Sequence, residues 1–176
     1  PIFQGGAIMN VLSEISKSKK IKHYCPYHEQ ALSMGVDAYS RIKGFGVGLV
    51  TSGPGATNLT TGIACSFYDS IPSIYFTGQV GQFHITGKRK VRQRGFQESD
   101  IVSLLKPITK FCYQIKSPDE ANFILDKAYH IATTGRPGPV VIDLPFNIQK
   151  SLIDIKKLKK FNFKKKIFNK KKLIKE

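Results

Sequence analysis

Residues 28–80, HEQALSMGVDAYSRIKGFGVGLVTSGPGATNLTTGIACSFYDSIPSIYFTGQV, decide the fold. Ala31, Leu32, Gly35, Ala38, Tyr39 and Ile42 recur at the spacing of one helix face, and Gly44 stops that helix. Val47 to Thr51 (VGLVT) is a continuous apolar run bounded by glycines, as expected for a parallel strand buried on both faces. Ser52-Gly53-Pro54-Gly55 turns the chain, with Pro54 suited to a first helical turn, where a missing N–H costs nothing. A helix rich in small residues is predicted from Ala56 to Tyr68, and Ile71 to Thr77 (IPSIYFT) reads as the next buried strand.

The same alternation continues outward. Pro1 to Phe3 reads as the end of a first strand, Ala7 to Ile15 as a helix, and Ile21 to Tyr24 as a short strand. Beyond Val80, Gly78 to Gly95 is a long basic loop, followed by a helix from Phe96 to Leu105 that Pro107 breaks. A strand is expected near Phe111 to Ile115. Ser117-Pro118-Asp119-Glu120 then starts a helix that runs to about Thr133. The turn Gly135-Arg136-Pro137-Gly138-Pro139 leads into a last strand, Val140 to Leu144. Strands alternating with helices imply an α/β fold, a doubly wound parallel sheet flanked by helices.

The 176 residues suffice for one domain with a proper core, and 41% hydrophobic content fits a globular chain. No apolar run approaches the roughly 18–20 residues of a membrane span. A chain that opens on Pro1, in the last part of a strand, is expected to be a piece of something longer. Cys25, Cys65 and Cys112 are odd in number and lack metal-ligand spacing, so they read as small buried hydrophobes. The net charge of +16 is mostly a tail property: from Lys150 onward there are 12 lysines against Asp154 and Glu176. Residues 1–149 thus read as the domain, and 150–176 as a Lys-rich linker or tail. That tail has no arginine for base or phosphate forks, so a solvated linker is the plainer reading and nucleic-acid binding the weaker one.

In doubly wound sheets ligands bind beyond the carboxyl ends of the strands. Three segments are expected there: Tyr24–Glu29, Ser52–Asn58 and Thr77–Val80. SGPGATN is neither a Walker loop nor a GxGxxG fingerprint. Glu29 opens an otherwise apolar helix. Exposed, it would merely oppose the helix dipole; held in an apolar pocket, it would have a raised pKa and could exchange a proton near neutrality.

Taken together, HEQ, LVTSGPGATNL, DSIPSIYFTGQV and GFQESDI closely resemble the pyrimidine-binding domain of thiamine-diphosphate enzymes, nearest to the acetolactate synthase large subunit. The resemblance runs to about Pro145 and implies a flavodoxin-like three-layer sandwich. It implies that Glu29 hydrogen-bonds N1′ of the aminopyrimidine ring and favours the imino tautomer that takes the thiazolium C2 proton. Pro54 and Asn58 match positions lining the pyrimidine pocket. Gln97 matches a glutamine close to pyrimidine and substrate, and Phe96 a substrate-side phenylalanine. His28 and His84 read as packing or surface groups before proton-transfer groups.

Two departures stand out. Phe3-Gln4-Gly5-Gly6 stands where the family usually has Tyr-Pro-Gly-Gly, with Phe3 at the place of the tyrosine. Between TGQV and GFQE the chain carries GQFHITGKRKVRQR, longer than the usual loop and unlike it.

The resemblance further implies a 2-keto acid substrate. It implies a homodimer or tetramer with the active site at the subunit interface, a regulatory small subunit, and a cytoplasmic or organellar setting. The magnesium ion and any FAD are expected on domains outside this chain, since no Gly-Asp-Gly motif occurs here. The chain alone is therefore expected to be inactive. Another 2-keto acid decarboxylase, or one subunit of a two-chain enzyme, is the alternative enzyme reading. A basic nucleic-acid-binding module is the non-enzyme one.

Overall fold

Four short runs rich in Val, Ile and Phe pair into one sheet in the computed structural model, which describes residues 1–159 and 161–162. They are β1 (Gly46–Val50), β2 (Ser73–Gln79), β3 (Phe111–Gln114) and β4 (Pro139–Pro145). All pairings are parallel, in the order β1-β2-β4-β3. The helices are α1 (Met9–Lys17), α2 (Glu29–Lys43), α3 (Pro54–Thr57), α4 (Thr60–Tyr68), α5 (Ile101–Leu105), α6 (Ala121–Thr133) and α7 (Phe146–Gln149).

Because side chains alternate across a strand, each strand feeds two cores. Val50, Tyr75 and Val141 pack on one face with Leu32 and Val36 of α2, Ala56, Leu59, Ile63, Ile101 and Leu105. On the other face Ile74, Val140 and Ile142 meet Ile124, Ala128 and Ala132 of α6, while Leu49 packs with Ile8 and the residues of α1. Helices on both faces of a parallel sheet give the expected three layers.

Four local expectations need correction. Ile21–Tyr24 is not a strand: it makes one backbone bond, from Ile2 N to Tyr24 O at 2.9 Å. The partner in that bond, Ile2, is itself a single-residue bridge to Leu49, so there is no ladder to extend. The helix predicted for 56–68 breaks at Asn58–Leu59 into α3 and α4. The helix predicted from Phe96 starts only at Ile101, because Asp100 caps it by accepting from Ser103 N at 3.0 Å. Two cysteines are exposed, Cys25 and Cys65; Cys112 is half-buried, and burial pushes its thiol up to about 12.

The largest difference lies in α2. Its buried residues are Glu29, Leu32, Ser33, Val36, Asp37 and Ser40, while Ala31, Ala38, Tyr39 and Ile42 are exposed. Small polar side chains let α2 approach α4 closely. A Cβ on Gly62 would lie 2.3 Å from Ser33 Oγ, and Ser66 donates to Asp37 at 2.8 Å. Arg41 then joins Asp37 to Asp69.

After α7 the described part of the tail turns back over α6, where Phe161 packs edge-on to Phe123 with centroids 5.3 Å apart. The lysine-rich residues 163–176, expected as a solvated linker, lie outside the described residues. Among the described residues no helix is long and apolar enough to cross a membrane.

A buried carboxyl ties the carboxyl ends of three strands. Asp143 on β4 accepts from Thr77 Oγ1 (2.7 Å), Gln79 Nε2 (3.2 Å) and Gln114 Nε2 (2.8 Å). Burial pushes Asp143 up to about 6 from 3.8, against those three bonds. The folded chain therefore holds this proton better than the unfolded one. Its contribution favours folding at acid pH and is lost as pH rises from about 4 through about 6. Across that window this group should cost on the order of 3 kcal/mol. Asp143→Asn is expected to lower stability at every pH, since its amide nitrogen would face other donors, and to remove this slope. Denaturant melts of both proteins from pH 4 to 7 check it, and parallel curves would refute the assignment.

Candidate active site

Glu29 is the first residue of α2 and only 8% exposed. Its helix starts here because His28 is the N-cap, with Nδ1 accepting from Gln30 N at 3.1 Å. The carboxylate has no ion-pair partner among the described residues. Its Oε2 accepts from Asn58 Nδ2 at 3.0 Å. Its Oε1 faces the glycine turn, where a Cβ on Gly55 would sit 3.2 Å away. The break between α3 and α4 places Asn58 for this contact.

The turn itself is held from both sides. Thr51 reaches the space beside Gly5 and Gly55, and its Oγ1 accepts from Ala7 N at 3.3 Å. Gly53 has φ +60°, and a Cβ there would lie 2.6 Å from the carbonyl oxygen of Gln97. Gln97 is itself in the left-handed region at φ 57°. Two such backbones in contact leave room for no side chain at Gly53.

Beyond this turn lies a cleft of about 430 Å³ at the carboxyl ends of β1 and β2. Gly6, Ala7, Ser52, Gln79 and Val80 line it, together with His84, Arg94, Phe96, Gln97 and Phe146. Phe96 is 80% exposed. The three segments expected at the strand ends thus meet in two linked places. Glu29 and Asn58 gather at Gly55; Ser52, Val80, Phe96 and Gln97 gather at the cleft. Pro54, exposed at the start of α3, lies between them in sequence and touches neither carboxylate oxygen. Phe3 packs under the α2 core, and its N donates to Leu49 O at 2.9 Å.

Two residues of this region were not legible in the sequence. Glu98 closes the long loop: its carboxylate accepts from Thr86 N (2.5 Å) and Oγ1 (2.6 Å), Arg94 N (2.8 Å) and Gly95 N (3.3 Å). Burial works against its charge, but those four bonds outweigh it and hold the carboxyl below its usual range. Arg94 is the second, one of several basic residues in the loop until the fold singles it out. The excess of basic residues was a signal; which of them faces the cleft was not.

A family model for the N-terminal TPP-binding domain of thiamine pyrophosphate enzymes matches residues 2–104. The chain is 40% identical over 162 residues to the acetolactate synthase large subunit of Buchnera aphidicola from Schizaphis graminum, covering 92% of this chain and 26% of that protein. It is 44% identical over 147 residues to the large subunit from Lactococcus lactis, covering 83% and 24%. It is also 44% identical over 156 residues to the probable large subunit from Methanocaldococcus jannaschii, covering 88% and 25%. The chain spans about a quarter of the length of these relatives.

Gly53→Ala is expected to destabilise the fold by about 3 kcal/mol, combining left-handed strain with the Gln97 collision; chemical denaturation checks it. Glu98→Gln should release the loop, so that the amides of Thr86, Arg94 and Gly95 exchange hydrogen faster while those of β2 stay protected. Unchanged exchange at the three amides would show that the carboxylate does not hold the loop.

Proposed function

The chain belongs to the thiamine pyrophosphate enzymes, as their N-terminal cofactor-binding domain, and on that premise we propose that it is the front part of an acetolactate-synthase-like carboligase. Such an enzyme decarboxylates one 2-keto acid and joins the remaining two-carbon unit to a second. The observation that carries this reading is Glu29. It is a buried carboxylate with one oxygen held by Asn58 and the other lying against Gly55, where a Cβ would come within 3.2 Å of it.

A carboxylate and an amide side by side suit the aminopyrimidine ring of thiamine diphosphate, whose nitrogens offer both donors and acceptors. Bound there, the cofactor supplies the carbon nucleophile and the electron sink for decarboxylation. Glu29 Oε1 is the atom placed to share a proton with a ring nitrogen. Asn58 fixes the carboxyl plane through Oε2, and the lack of a side chain at Gly55 lets the carboxylate lie against the turn. Burial keeps water from competing for the same proton. On the cleft side, Gln97 and Phe96 would face the substrate.

The assembly follows from what α2 leaves outside. Tyr39 and Ile42 form an exposed apolar stripe, and Tyr27 beside Glu29 is fully exposed at 102%. Such a surface supports a homodimer or tetramer in which a second subunit completes the site. The diphosphate, its magnesium ion, any FAD and a regulatory small subunit would be held outside residues 1–176. The compartment would be a bacterial cytoplasm or an organelle. The long Gly81–Gly95 loop favours a second reading, a different 2-keto acid decarboxylase of the same family.

In the complete enzyme, Glu29→Gln should preserve fold and assembly. It should slow C2 proton exchange of bound thiamine diphosphate, followed by NMR, by at least about a hundredfold. Exchange at the parent rate would remove the role given to Glu29.

A further inference from the structure

We propose that Arg94 reads the carboxylate of the substrate, a role that rests on the 2-keto acid chemistry proposed above. Of the arginines and lysines in the loop, Arg94 alone lines the cleft at Gln97, with His84 beside it; Arg89 and Arg92 line a separate cavity of about 570 Å³. Its guanidinium is not a freely swinging surface charge. The carbon Cζ lies 4.5 Å over the centroid of the Phe83 ring, and Nη1 donates to Phe83 O. Its own backbone N–H is held by Glu98 at 2.8 Å. Ring, carbonyl and carboxylate together fix the side chain before any ligand arrives.

What is left over is the recognising edge. Nε and Nη2 of Arg94 make no hydrogen bond, and Arg94 makes no ion pair, among the described residues. Glu98, the nearest acid in sequence, already accepts four bonds within the loop. A planar cation with two free N–H directions matches a carboxylate in a bidentate fork. Stacking on an aromatic ring lowers the entropy lost in forming that fork. Phe96 and Phe146 offer apolar wall on the same cleft, suited to the alkyl end of a small 2-keto acid. The long loop therefore carries a specificity element rather than a solvated insertion.

The test uses the complete enzyme with pyruvate as substrate and, in parallel, its uncharged methyl ester as a competing ligand, since an ester has no carboxylate to lose. Arg94→Gln should raise KM for pyruvate about tenfold to a hundredfold, with kcat within about threefold. The inhibition constant of the ester should show no comparable change, and Arg94→Lys should recover part of the loss. Removing the platform with Phe83→Leu should give an intermediate rise. An unchanged KM for pyruvate overturns the proposal. So does an equal rise for acid and ester, which would mean that Arg94 only shapes the cleft. C2 proton exchange of the bound cofactor is read in the same samples. Exchange equal in parent and Arg94→Gln, with the KM split, supports the assignment. A parent that does not exchange overturns the underlying reading, and this one falls with it.

Discussion

The seat of α2 on β1 and α4 is the contact on which the rest of the molecule depends. It exists because three positions beneath the helix have no side chain. A Cβ at Gly46 would lie 2.7 Å from Val36 O, one at Gly48 would lie 3.0 Å from Leu32 Cδ2, and one at Gly62 would strike Ser33. Interiors this dense do not yield to an added methyl. The depth of α2 sets the depth of its first residue. Glu29 reaches Asn58 and the glycine turn only because the helix behind it lies so low.

That same closeness explains the inverted face of α2. A helix pressed this near to its neighbours accommodates serine and aspartate, not tyrosine and isoleucine. Ser33, Asp37 and Ser40 go inside with their hydrogen bonds made locally, to Gln30 O, Arg41 and Val36 O. The apolar stripe is displaced to the surface.

At the far side of the glycine turn, two acids divide the work of holding the strand ends. Asp143 gathers β2, β3 and β4 through three side chains, and Glu98 gathers the loop through four hydrogens. They answer differently to burial. Asp143, fully inside, is driven toward its neutral form, whereas Glu98 at the rim keeps its charge because backbone N–H groups surround it. Just before Glu98 in the same loop, Gln97 reaches the cleft with a left-handed backbone packed against Gly53.

The alternation of apolar runs and helices, the parallel sheet and the place of Glu29 at the first turn of α2 were all legible in the sequence. Strand burial on both faces and glycine turns leave marks within a few residues of one another. The family-specific strings placed Asn58, Phe96 and Gln97 as well. What the chain could not disclose locally was decided by contacts across it. Which face of α2 turns inward depends on Gly46, Gly48 and Gly62, all outside the helix. The late start of α5 depends on Asp100 and Glu98 spending their side chains on backbone N–H groups. The choice of Arg94 over its basic neighbours depends on where Phe83 and Glu98 hold it. Periodicity reports what a segment prefers by itself; the position of a side chain is set by the neighbours that remain after the backbone has packed.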